Sequence, residues 1–147
     1  MSDLKLIALD TEDLSILAAH LQDAVLHVED MVYLKAERRF ALLVNRFDWS
    51  DAVASNGDGK PFVRRRTGVR FEHVTGAQVQ GLDLLNKTLA LSLLTLTFEP
   101  SEAPQGTVTL TFAGGGAVRL SVECIEAALT DLGAAWATSR KPEHAGD

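Results

Sequence analysis

The stretch GTVTLTFAGGGAVRLSVE, residues 106–123, constrains the fold more than any other part of the chain. Val108, Leu110 and Phe112 alternate with Thr107, Thr109 and Thr111. Val118, Leu120 and Val122 then alternate with Arg119, Ser121 and Glu123. Side chains of a strand point to opposite faces in turn, so period two marks two half-buried strands. The glycines at 114–116 provide the positive φ angles of a hairpin turn. Such a hairpin has one apolar face, which must be covered, so the chain needs a larger antiparallel sheet with two layers.

Other segments supply it. LKLIAL (4–9) is a short apolar strand. DTEDLSILAAHLQDA then reads as a helix, with Asp10 as N-cap, Glu12 and Asp13 at the positive end of the dipole, and Leu14, Leu17, Ala18 and Leu21 as one stripe. His20 lies beside that stripe. AVLHVEDMVYLK (24–35) is extended, with a break near Glu29 and Asp30, and AERR is a tight turn. FALLVNRFDW (40–49) and Val63 to Val74 are long strands. A short strand follows a turn at Gly76. KTLALSLLTLTFEP (87–100) changes phase between Leu93 and Leu94, which predicts a bulge or burial on both faces. CIEAALTDLG reads as a short helix, with Ile125, Leu129 and Leu132 as its stripe and Gly133 as its stop.

The predicted fold is therefore α+β. It has a strongly bent antiparallel sheet of about seven strands, an N-terminal β-α unit and a short C-terminal helix. In element order alone it resembles a pleckstrin-homology-like barrel. One domain is expected over 1–136, with a disordered polar tail over 137–147.

Composition narrows the setting. A chain of 147 residues, 46% hydrophobic and 23% charged, is large enough to bury roughly two thirds of its unfolded surface around one core. The single Cys124 cannot form an internal disulfide and suits a reducing compartment. MSDLKLIALD lacks the features of a signal peptide, and no run nears the roughly 18 apolar residues of a membrane span. A soluble cytoplasmic protein is expected.

The charge is uneven. Residues 1–30 hold seven acids and one base, residues 31–70 nine bases and four acids, and residues 71–147 nine acids and four bases. The basic middle contains KPFVRRRTGVRFEHV (60–74). On a strand, Val63, Arg65, Thr67, Val69, Phe71 and His73 share the inward face. Arg64, Arg66 and Arg70 form a row on the outward one, beside Gly68 and Glu72. That row, with Arg46 and with Trp49 before the Gly- and Asp-rich loop 50–61, is the candidate surface for an anionic ligand or a protein partner. The alternative is a solvated strand face paired with acids of the same chain. Nucleic acid is disfavoured by the formal net charge of −6 and because Phe71 points inward, whereas RNA-binding sheets place aromatics beside the bases. Arg46 and Asp48 are most simply a local ion pair.

Chemistry is harder to find. Cys124 at a helix start is most simply a small core residue; a nucleophile there would need a base held near it, and no local signature supplies one, His73 being the one histidine that could lie nearby. His20, His27, His73 and His144 show no metal spacing, and no cofactor motif is present. His73 is expected as a hydrogen-bonded core residue. ASNGDGK (54–60) fails the calcium-loop pattern, with Ala54 at its first ligand position. AGGGA (113–117) is followed by a strand rather than the helix a phosphate loop requires. An enzyme would need at least two of His73, Asp48 and Cys124 to converge in a pocket. A homo-oligomer through an edge strand is left open.

Together LQDAVLHVEDMVYL, ERRFALLVNRFDW, RRRTGVRFEHV and the 107–136 region resemble a family of small bacterial proteins known only as a domain of unknown function, number 2948. The resemblance spans nearly the whole chain to Trp136. It implies no activity, cofactor or site residue. The expectation is a non-catalytic binding or adaptor module with a basic strand face.

Overall fold

A computed structural model describes residues 4–48 and 62–138. Trp49, the loop 50–61 with its calcium-like stretch, and the tail residues 139–147, His144 included, lie outside the described residues. The elements run in order β1 (Lys5–Ala8), α1 (Thr11–Leu21), β2 (Val25–His27), β3 (Met31–Leu34), β4 (Arg39–Phe47), β5 (Phe62–Phe71), β6 (Val74–Gln80), β7 (Ala90–Pro100), β8 (Gly106–Phe112), β9 (Ala117–Val122) and β10 (Ala127–Thr138).

Every pairing is antiparallel, in the order β1-β10-β5-β4-β2-β7-β8-β9-β6, with β3 also on β4. The expected bent α+β sheet is present, but it has ten strands rather than seven. It is also open, with β1 at one end and β6 at the other, so the barrel expectation is not met. The bend falls in β7, which pairs with β2 over residues 90–92 and with β8 from Leu93 onward, across a register shift at Leu93 and Thr95. The phase change at Leu93–Leu94 marks this place.

The inner faces of the two halves meet in one core. Phe40, Leu42, Val69, Phe71 and Leu129 come from one half, and Val108, Leu110, Phe112, Val118 and Leu120 from the other. Leu14, Leu17 and Leu21 of α1 join the same core, with the helix lying against β1, β4 and β7. Asp10 caps α1 as expected, its Oδ1 accepting the Asp13 N–H at 2.8 Å. Asp10→Ala should cost about 1 kcal/mol; a denaturant midpoint unchanged within error would show that the cap is dispensable.

The break at Glu29–Asp30 is a 3₁₀ turn over Val28–Asp30. The turn before β6 uses His73 at φ 59, not Gly76. The expected C-terminal helix is the one misassigned element. Residues 127–138 form β10, hydrogen-bonded between β1 and β5. Ala127, Leu129 and Asp131 alternate inward, and the charge at the third inward position conceals the period. Gly133, expected as a helix stop, has φ 83 within the register irregularity between Asp131 and Ala135. Strand β10 runs to Thr138.

Candidate functional site

Cross-strand partners share a face, so the register assigns each arginine. Arg66 and Arg70 are exposed on the outer face of β5. Arg64 is on that face too, but it is only 7% exposed. Its guanidinium lies 5.8 Å from the centre of the Phe47 ring, and Nη1 donates to the carbonyls of Asn45 at 3.2 Å and Asp23 at 3.4 Å. Arg64 thus reaches across β4 to the chain just before β2, and the expected outward row is interrupted at Arg64. Arg46 is not on the wet surface either.

Arg46 lies in a buried charge cluster on the inner face. Its Nε and Nη2 donate to the two carboxylate oxygens of Asp131 at 2.9 and 2.8 Å. Asp131 also accepts the Thr67 hydroxyl at 2.8 Å and the Leu4 N–H at 2.9 Å. Arg65 Nε donates to Asp48 at 2.7 Å. The expected Arg46–Asp48 pairing is therefore replaced by two others: Arg46 and Asp48 share a face, but Arg46 pairs with Asp131 and Asp48 with Arg65. Burial alone would raise the Asp131 pKa; the hydrogen bonds from Arg46, Leu4 and Thr67 outweigh it and hold the carboxyl below its ordinary range. His20, on the last turn of α1, faces the same charges. Burial, and then Arg46, lower its pKa against the opposite pull of Asp48 and Asp131. Among the described residues two guanidinium–carboxylate pairs balance one another, and the cluster ties β4, β5 and β10 together on the inner face.

The outer face differs. The register lays down three rows across the strands. Leu34 and Arg39 form the first, with Glu72 beside them. Val32, Ala41, Arg70, Ala128 and Ile7 form the second, and Leu43, Gly68, Thr130 and Lys5 the third. Ala41, Gly68 and Ala128 are small, so the floor is low. The result is a groove of about 530 Å³, within the usual range of ligand sites. A Cβ on Gly68 would meet the Thr130 carbonyl only at 3.9 Å and Leu132 at 4.0 Å, so there is open space above it.

The groove carries charge at its rim. Glu72 accepts from Arg39 Nε at 2.9 and 3.2 Å and from Arg70 Nη1 at 2.6 Å. Burial opposes ionisation of Glu72, but the bonds from Arg70 and Arg39 prevail and lower its pKa. Among the described residues, the Nη1 and Nη2 of Arg39 and the Nε and Nη2 of Arg70 make no hydrogen bond. Two guanidinium groups against one carboxylate leave one positive charge at this end. Glu29 and Asp30 line the groove where β3 begins.

The other candidates do not assemble. His73 is half-exposed at the β5–β6 turn, not in the core, and its Nε2 is 2.8 Å from Glu126 Oε1. Cys124 follows β9 in an irregular connection, so no helix dipole acts on it. Asp48 pairs with Arg65, six residues of β5 away from Phe71 and about 20 Å from the His73 turn. The three do not share a pocket. No group of three or more His, Cys, Asp or Glu side chains comes together to hold a metal among the described residues. None of their helices is long and apolar enough to cross a membrane.

The small floor residues were missed in the sequence because attention to the charged stretch passes over glycine. An outward Gly68 within a strand otherwise rich in arginine is the signal, since glycine inside a strand often marks close approach of another group. The family described as "Protein of unknown function (DUF2948)" matches residues 4–144, and the chain belongs to it. No match was found among curated proteins or among solved structures.

Proposed function

We propose that this chain is a non-catalytic binding or adaptor module whose ligand lies in the outer groove of β3, β4, β5 and β10. The observation that carries this reading is the pairing of an apolar, low-floored groove with guanidinium donors left free on Arg39 and Arg70. An apolar body would cover Val32, Ala41, Leu43 and Ala128, and an anionic group would take the free donors. Arg66 extends the basic surface toward the far end of β5. Arg46 and Arg64, both buried, support the sheet beneath and make no contact with the ligand. Trp49 and the loop 50–61 enter the reading only as neighbours in sequence of β4 and β5. The cytoplasmic setting is part of the same proposal and rests on the lone cysteine.

The test uses anilinonaphthalene sulfonate, an apolar ring system with one anionic group, and reads its fluorescence. One saturable site is expected on the native chain. Gly68→Leu fills the floor without forcing the backbone, so it should abolish that site while leaving the melting temperature nearly unchanged. Arg70→Gln removes a charge-assisted donor and should weaken binding about tenfold. Equal fluorescence from the native chain and Gly68→Leu would refute the groove as the ligand site.

A further inference from the structure

We infer that the groove's ligand is a small dipolar amphiphile, with a carboxylate at one end, a cationic group at the other and an apolar body between them. The inference rests on the groove being the ligand site and adds the chemistry of what fills it.

The carboxylate follows from the edges that the two arginines leave open. Arg70 uses Nη1 for Glu72, and its Nε and Nη2 make no hydrogen bond among the described residues. Those two nitrogens form one planar fork of donors. In this same chain the Nε and Nη2 of Arg46 hold both oxygens of Asp131, at 2.9 and 2.8 Å. Arg39 uses Nε for Glu72 and leaves its Nη1 and Nη2 edge open among the described residues. Glu72 is one carboxylate shared by two guanidinium groups, so one positive charge remains at this end. A carboxylate matches the fork in shape and, as a monoanion, balances that charge.

The cationic end follows from Glu29 and Asp30, which line the same groove. Met31 pairs with Leu42 and Leu34 with Arg39, so Asp30 begins level with Leu43, four residues along β4 from Arg39. At strand rise that is about 13 Å. Asp30 Oδ2 accepts the His27 N–H at 2.9 Å and lies 3.5 Å from His27 Nδ1. The exposed Glu29 carboxylate makes no hydrogen bond or ion pair among the described residues. The Lys87 carbonyl accepts the Glu29 N–H at 3.0 Å, but the Lys87 ammonium forms no ion pair among those residues. Lys5 is on the Leu43 row but three strands away, about 14 Å at the usual strand spacing. Between the ends the surface is Val32, Ala41, Leu43, Gly68 and Ala128. An anion alone leaves the acidic end without a counter-charge, and a cation alone leaves the arginine edges open. A molecule carrying both groups about 13 Å apart answers each, and a groove of about 530 Å³ holds a molecule of that size. A lipid headgroup, whose phosphate and ammonium are adjacent, does not span the groove.

The experiment is calorimetric titration with ω-aminoundecanoate, whose extended chain is about as long as the span. It is compared with undecanoate, with undecylamine and with the shorter ω-aminohexanoate. The long dipolar compound should bind about tenfold more tightly than undecanoate or undecylamine. The short one cannot reach both ends and should bind more weakly than either. Glu29→Gln should bring ω-aminoundecanoate down toward undecanoate, and Arg70→Gln should weaken both carboxylates. Both side chains are exposed, so the melting temperature of each variant should stay near that of the native chain. Equal affinity for ω-aminoundecanoate and undecanoate, an advantage that survives Glu29→Gln, or equal binding of ω-aminohexanoate would each overturn the inference. If anilinonaphthalene sulfonate and undecanoate bind the native chain but not Gly68→Leu, while the amino group adds nothing, the dipolar inference fails and the groove reading survives. If no probe distinguishes Gly68→Leu from the native chain, both fail.

Discussion

Replacing Asp131 with asparagine is expected to destabilise the fold by about 3 kcal/mol, because it leaves Arg46 buried without its counter-charge. Asparagine has nearly the same shape. Its one carbonyl oxygen can still accept the two bonds now made to one carboxylate oxygen, but its amide group places a donor where the other two bonds require an acceptor. Against the 5–15 kcal/mol typical of a domain, the loss is large and should lower the melting temperature by roughly 10 °C. The pH dependence provides a second signature. The folded Asp131 pKa lies below its ordinary 3.8. A depressed carboxylate contributes stability that is complete above the ordinary value and is lost as pH falls through the depressed one. The native chain should therefore lose stability more steeply in acid than Asp131→Asn. If the single variant does not fold, the double variant Arg46→Met with Asp131→Leu keeps the prediction testable, since removing both charges should cost less than removing one. Parallel acid limbs for native and Asp131→Asn, measured by urea unfolding from pH 7 to pH 2.5, would show that this carboxylate is not the coupled group.

Gly106→Ala is the second large effect. Gly106 opens β8 opposite Pro100. A Cβ there would lie 2.5 Å from the Glu99 carbonyl oxygen and would run into the ring of Phe98. The ring can turn, but the carbonyl belongs to the β7 backbone and cannot move without disturbing the β7–β8 ladder. The expected cost is about 1–3 kcal/mol, as for overpacking in a closed site. Gly68→Ala is the control: it is also a strand glycine, but it has only ordinary contacts around its Cβ position. Equal stability of the two variants would contradict the account of β7 and β8.

The sequence carried the strands with a long run of apolar alternation, and it failed in β10, where a short run ends at an inward charge. The β8–β9 hairpin, the capped α1 and the irregularity in β7 follow from local alternation, capping and phase. Strand β10 does not, because Asp131 occupies an inward position and its partner Arg46 lies 85 residues away. The same blindness affected the arginines. Alternation placed Arg65 inward and Arg64, Arg66 and Arg70 outward, as the register has them. Periodicity could not foresee that Arg64 would reach across β4 to the carbonyl of Asp23, or that Arg46 and Asp48 would choose different partners. The groove was invisible for a simpler reason. Its floor is made of Ala41, Gly68 and Ala128, three small outward residues on three strands, and they become one surface only once the strand order β4-β5-β10 is known.

The most direct test of the central claim, that the outer groove is the ligand site, is a titration of ¹⁵N-labelled protein with anilinonaphthalene sulfonate followed by amide chemical shifts. The account predicts saturable shifts confined to Val32, Ala41, Leu43, Gly68, Arg70, Ala128 and Thr130. Shifts centred on α1 or on the β8–β9 hairpin, with those amides unmoved, would contradict it.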